Sequence, residues 1–349
     1  MRSVILHGVR DIRVEDRPEP RILTPGDAVV RVVAACVCGS DLWGYRGIRD
    51  PGPPHAVGHE LVGVVEQVGD AVTTVAPGDF VISPFSFSDG TCQACLHGMT
   101  SACDHVCYFG SNDPDGLPVE GAQGERTRIP MADANLVRVP GPVDDALVPS
   151  LLTLSDVMST GHHAAVSAAV GPDTTVVVVG DGAVGLCAVL AAARLGAPRI
   201  IAMSRHADRQ KLAVEFGATD VVEARGDDGV AEVRRLLDGD LADATLECVG
   251  TAESMRQALG SARGGGRVGY VGVPAGGPKL PVGYLFERNL TVGGGMAPAR
   301  TYIPELLPDV LEGRIDPGRV FDLQLPLEEA AEAYAAMDER RAIKSLLRP

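Results

Sequence analysis

The stretch that most constrains this chain is "TVVVVGDGAVGLCAVLAAARLG", Thr175 to Gly196. Four consecutive valines predict a strand buried on both faces, and the Ala-rich run after the glycines predicts a helix. Gly180, Gly182 and Gly185 fall between the two, with Ala183 and Val184 inside the motif. A second strand, "RIIAMS", ends about twenty residues on, the spacing of a dinucleotide-binding βαβ unit. Glycines there permit a tight turn and close approach of backbone to a pyrophosphate, and the helix N-terminus supplies amide donors. A Gly-rich turn without a ligand is the plainer alternative, and the complete strand–loop–helix frame argues against it.

The end of the second strand sets which dinucleotide is expected. NAD sites place a carboxylate there for the ribose 2′-hydroxyl. Here Ser204 and Arg205 occupy the position, and Asp208 lies a turn further on. A hydroxyl and a guanidinium suit a 2′-phosphate, so NADP(H) is expected, with NAD(H) as the alternative. Ser204 as a helix cap beside a solvated Arg205 is the bland reading.

Around this unit the texture changes twice. Residues up to about Pro149 read as short strands broken by Gly and Pro turns, "LVGVVEQVG" and "FVI" among them. From about Leu151 to Gly295, Ala-rich helices alternate with apolar strands, the pattern of a parallel sheet. The tail "LPLEEAAEAYAAMDERRAIKSLLRP" predicts a helix leading into one short strand. With 349 residues, 45% hydrophobic and 22% charged, the chain has length for two domains and composition for real cores. A net charge of −15 argues against nucleic acid or an anionic membrane as a partner. The expected location is the cytoplasm, because there is neither an apolar span nor a secretory start. Cysteines in that compartment are metal ligands, catalytic groups or core residues rather than disulfides. Cys36, Cys187 and Cys248 fit core packing.

Three further pieces, "CVCGSDLWG", "PHAVGHELVG" and "LSDVMSTGHHAA", precede the glycine loop in that order. Together with it they resemble the zinc-dependent medium-chain alcohol dehydrogenase family, over nearly the whole chain. The resemblance implies an α/β fold in which a GroES-like β-rich catalytic domain (residues 1–152 and 299–349) flanks a Rossmann doubly wound domain (153–298). It implies a catalytic zinc held by Cys38, His59 and Asp156, with Glu60 as the adjacent carboxylate that exchanges with water. Ser40 matches the hydroxyl that bonds the substrate oxygen, and Asp41 the carboxylate that orients His59. Zinc then acts as a Lewis acid on an alcohol whose hydride passes to the nicotinamide. The family's relay histidine falls on Trp43, which cannot take a proton, so the relay ends elsewhere. Lys344 matches a cation that meets the cofactor phosphates. Separately, Cys38 and His59 would read as core residues and Asp156 as a cap.

"SDGTCQACLHGMTSACDHVC", Ser88 to Cys107, matches the family's structural-zinc loop. In that frame Cys92, Cys95 and Cys103 are ligands, and Asp89 stands where a first cysteine is usual. Asp89 is preferred as the fourth ligand, with Cys107 the alternative and His97 and His105 outside candidates; a loop that has lost its metal is also possible. The aromatics Phe85, Phe87, Tyr108, Phe109 and Trp43 suggest a cleft for a small alcohol or aldehyde, though most could equally be core. A homodimer or homotetramer is expected from the family. Zinc-free quinone or enoyl reductases of the same fold, and a non-catalytic dinucleotide-binding protein, are the competing readings.

Overall fold

A computed structural model describes residues 1–274 and 279–349. The chain divides into two compact units, Met1–Asp156 with Pro298–Pro349, and Val157–Ala297.

The first unit is built on the strand Ala28–Cys36, whose inward residues Ala28, Val30, Val32 and Ala35 are buried. Leu61–Val68 pairs antiparallel along it and Phe80–Ser83 follows beyond. On the other side the C-terminal strand Lys344–Arg348 inserts, Leu346 opposite Cys36, with Phe321–Pro326 parallel to it. The helix Ala330–Asp338 joins that pair and buries Ala330, Ala333 and Tyr334 in a second core with Val4, Leu6 and Leu42. The expected tail of one helix and one strand is therefore found, and the strand closes the N-terminal sheet.

The unit boundary lies at 156/157 and 297/298, not at 152/153 and 298/299. The reason is packing: the helix Val148–Thr153 lies on the strands Ala28–Cys36 and Leu61–Val68, and Leu151, Leu152 and Leu154 are fully buried. Phe85 N–H then donates to Ser155 O, tying the segment down as far as Asp156.

The second unit carries a six-stranded parallel sheet in the order Asp220–Val222, Arg199–Met203, Thr175–Val179, Ala242–Glu247, Ala262–Tyr270, Thr291–Gly294. Numbered along the unit this is 3-2-1-4-5-6, the doubly wound order, with its switch point beside Thr175–Val179. Val176 to Val179 are fully buried because helices cover both faces. Gly180 adopts φ +124°, and a Cβ at Gly185 would lie 2.0 Å from Gly180 O. No larger residue fits either place. Among the described residues no helix is long and apolar enough to cross a membrane.

Candidate active site and metal centres

The register of the first sheet assembles the catalytic candidates. Ala35 pairs with Leu61, so Cys38, two residues past its strand, faces His59 and Glu60 just before theirs. Asp156 arrives from the end of the helix Val148–Thr153 and Lys344 from the first position of the C-terminal strand. One ligand atom from each of Cys38, His59, Glu60 and Asp156 lies within 4.8 Å of the others. His59 Nε2 is 3.3 Å from Asp156 Oδ2, and Cys38 Sγ is 3.7 Å from the same oxygen.

Asp41 holds this group from behind. Its Oδ1 lies 3.3 Å from His59 Nδ1, which leaves Nε2 turned to Asp156. Its Oδ2 accepts from Cys38 N–H at 2.9 Å and from Gln123 Nε2 at 3.3 Å. Gln123 in turn donates to Cys36 O and accepts from Tyr334 O–H at 3.0 Å. Gln123 and Tyr334, both buried, were not found by sequence reasoning, since nothing local distinguishes them from core residues. Burial alone would lower the His59 pKa, but Asp41, Cys38 and Asp156 raise it well above the imidazole range. The Cys38 thiol is pushed up by burial and by Asp156.

Glu60 is fully buried with Lys344 Nζ 2.7 Å from Oε1, while Oε2 has no hydrogen-bond partner. An orphaned carboxylate oxygen beside a thiol, an imidazole and a second carboxylate is the donor set of a zinc ion. The residues fit that metal. Burial raises the Glu60 pKa against the opposing pull of Lys344. Lys344 does not match the role expected of it: the ammonium is 1% exposed and also donates to Val37 O at 3.2 Å, so it is engaged beneath the site and not free for a phosphate. Ser40 and Trp43 are both half-buried in the turn after Cys38, Ser40 leading the short helix Asp41–Tyr45. Of the aromatics, the Phe85 ring stands edge-on to His59 at 6.4 Å. Phe87 and Phe109 instead pack on each other in the core with tilted rings, centroids 4.6 Å apart, while Tyr108 is exposed.

The cysteine loop forms a separate cluster in the same unit. Asp89, Cys92, Cys95 and Cys103 again place one ligand atom each within 4.8 Å of the others. Cys103 Sγ accepts from Asp89 N–H and His105 N–H, both at 3.3 Å. Asp89 is held by its own loop: Oδ1 accepts from Thr91 and Cys92 N–H at 2.7 and 2.9 Å, and Oδ2 lies 2.7 Å from His105 Nδ1. His105 first, then these amides, hold its carboxyl far below the usual range. Cys95 is pushed up to about 12 by burial and by Cys92. Cys107 stands outside the cluster, packed in the hydrophobic core with Phe87 and Phe109. His105 bonds the Asp89 carboxylate from outside the group of four.

In the second unit Gly182 is the N-cap of the helix Ala183–Arg194 and has no side chain of its own to bond the first amides. Gly180, Ala183, Val184 and Gly185 belong to the same loop and first helical turn, where unpaired helix N-terminal amides are the donors that an anion site uses. Ser204 and Arg205 follow the strand Arg199–Met203 as expected, but the Ser204 hydroxyl donates to Asp181 Oδ2 at 2.9 Å. The expectation of NADP(H) rested on the absence of a carboxylate at this strand end. The glycine loop supplies one.

Residues 24–141 match the alcohol dehydrogenase GroES-like domain and residues 183–312 the zinc-binding dehydrogenase family. The chain is 35% identical to a probable zinc-binding alcohol dehydrogenase of Mycobacterium tuberculosis, over 100% of this chain and 89% of that protein. It superposes on the alcohol dehydrogenase of Thermus sp. ATN1 with a TM-score of 0.91 at 34% identity, covering 100% and 99% of the two chains. A putative zinc-binding dehydrogenase of Sinorhizobium meliloti, solved with NADP bound, gives 0.83 at 26% identity, with 100% and 99% covered.

Proposed function

This chain belongs to the zinc-dependent medium-chain alcohol dehydrogenase family, and on that premise we propose that it moves a hydride between a small alcohol and a nicotinamide dinucleotide, reversibly giving an aldehyde or ketone. The observation that carries the reading is the convergence of Cys38 Sγ, His59 Nε2 and Asp156 Oδ2 beside the unpartnered, buried Oε2 of Glu60. A zinc ion held there supplies a Lewis acid that makes a hydroxyl easier to deprotonate or a carbonyl easier to reduce. The bound nicotinamide supplies the hydride acceptor.

The remaining steps belong to the chain. Asp41 fixes His59 so that Nε2 faces the donor set. Ser40 bonds the substrate oxygen and hands its proton on. Trp43 cannot receive it, so the relay ends at another acceptor. Glu60 Oε1 stays tied to Lys344 while Oε2 is free to approach the metal. Phe85, edge-on to His59, offers an apolar wall that suits a primary or modest secondary alcohol. Asp89, Cys92, Cys95 and Cys103 would hold a second, structural zinc, since four protein ligands fill a tetrahedral ion and leave no position for substrate. The assembly is a cytoplasmic homodimer or homotetramer.

Two observations divide the choice of dinucleotide. The exposed Arg205, and the Sinorhizobium meliloti relative with bound NADP, support NADP(H). The Asp181 carboxylate at Ser204 supports NAD(H).

A panel of alcohols and aldehydes with both dinucleotides, alongside zinc analysis, tests the function. Cys38→Ala should abolish turnover and leave dinucleotide binding intact. Full activity in a metal-free preparation would sink the zinc reading and favour a zinc-free reductase; binding without turnover on any substrate would favour a non-catalytic protein.

A further inference from the structure

Asp181 is the residue between the first two glycines of the loop. Its side chain crosses to the carboxyl end of the neighbouring strand, Arg199–Met203. There Oδ2 accepts from Ser204 Oγ at 2.9 Å and from Arg205 N–H at 3.3 Å. Oδ1 lies 3.5 Å from Arg209 Nη1, and the same guanidinium donates to Asp181 O at 3.3 Å. Burial disfavours the ionised carboxyl, but Ser204 and Arg209 outweigh it and hold the pKa below the usual range.

The position matters more than the charge. In a doubly wound sheet the adenosine ribose lies at the end of the second strand, beside the glycine turn. A carboxylate reaching that point from the loop does what one following the strand would do. It accepts hydrogen bonds from ribose hydroxyls, and Oδ1 keeps acceptor capacity for them. It also meets a 2′-phosphate as a like charge in a half-buried setting, which disfavours that group. Ser204 cannot compensate. Its side chain is 1% exposed and its proton is already given to Asp181.

We propose that Asp181 is the specificity-determining residue for the dinucleotide, accepting hydrogen bonds from the adenosine ribose and turning the chain toward NAD(H). This rests on the reading of the glycine loop as a dinucleotide site. Arg209 is the counter-ion that keeps the carboxylate charged and aimed. Arg205, whose backbone but not its guanidinium engages Asp181, plays no part in recognising NAD(H).

The test is a fluorescence titration of the purified protein with NADH and with NADPH, which needs neither substrate nor catalytic zinc. The wild type should bind NADH at least about tenfold tighter, the scale of a hydrogen bond to a charged group. Asp181→Asn should weaken NADH by about tenfold and tighten NADPH, bringing the ratio near one. Ser204→Ala should leave the affinity for NADPH undiminished and NADH still the tighter ligand. Tighter NADPH binding by the wild type overturns the proposal without needing any variant. So does an equal loss with both cofactors in Asp181→Asn, which would make the carboxylate a structural cap only. A loss confined to NADPH in Ser204→Ala would return Ser204 to the phosphate. Binding of neither cofactor to the wild type would defeat the dinucleotide reading itself, a result distinct from an unselective site.

Discussion

Lys344 keeps a charge in the interior because Glu60 Oε1 lies 2.7 Å away and Val37 O takes another of its hydrogens. Removing one partner of such a pair leaves the other buried and uncompensated, which costs about 3–5 kcal/mol. Lys344→Met should lower unfolding free energy by that amount in a denaturant titration, and Lys344→Met with Glu60→Gln should recover a large part of it. A single variant within about 0.5 kcal/mol of wild type would mean that the pair contributes nothing. Nothing beside Lys344 in the sequence reveals this role. Its neighbours read as a short apolar strand, and only the sheet order places it under Glu60, nearly three hundred residues earlier. Asp181 was missed for a related reason. The ribose carboxylate is expected after the second strand, whereas the side chain that reaches that point starts 23 residues earlier, before the helix.

At the scale of elements, the family resemblance points to Asp89, Cys92, Cys95 and Cys103 within one short loop, and the structure brings those four together. Asp89→Ala should lower zinc content toward one per chain and depress the melting temperature, since metal affinity adds to folded-state stability. Cys107→Ser should keep both zincs; losing one instead would transfer the ligand role to Cys107. A second loop shows a different economy of contacts. Asp133 accepts from the N–H and hydroxyl groups of both Thr73 and Thr74 at 2.7–3.0 Å. Burial opposes its ionisation, yet these bonds bring its pKa down to about 2. A carboxyl depressed from 3.8 contributes stability above about pH 4, and that contribution fades as pH falls through about 2. Asp133→Asn should therefore cost about 1 kcal/mol at pH 7, measured by urea unfolding, and the gap from wild type should close toward pH 2. A gap that stays constant with pH would mean that the ionised form makes no difference. This clasp was invisible in the sequence, where its two halves stand sixty residues apart.

For the whole molecule, both metal clusters belong to the unit of residues 1–156 and 298–349, and the glycine loop to the unit of residues 157–297. Chelation and dinucleotide should thus act on different parts of the chain. In hydrogen exchange, a chelator should deprotect amides around Cys38 and Cys92, while NADH should protect those of Gly180 to Gly185. A chelator that deprotects both regions equally would contradict that separation. The division itself was legible from the change in texture, because strand-and-turn and strand–helix alternation are read over long windows; the last few residues at the boundary were not, because packing and not periodicity assigns them. The strand beside Cys36 is Lys344–Arg348, about three hundred residues downstream. At a synthesis rate of about 5–20 residues per second, on the order of half a minute separates the emergence of the two strands. The intervening parallel-sheet unit can fold in that interval. Arg126–Ile129 already covers Ala28–Arg31 by then, but Ala35 and Cys36 wait without the C-terminal strand and Glu60 without its cation until translation nears its end, so this corner of the first sheet is completed after the second unit.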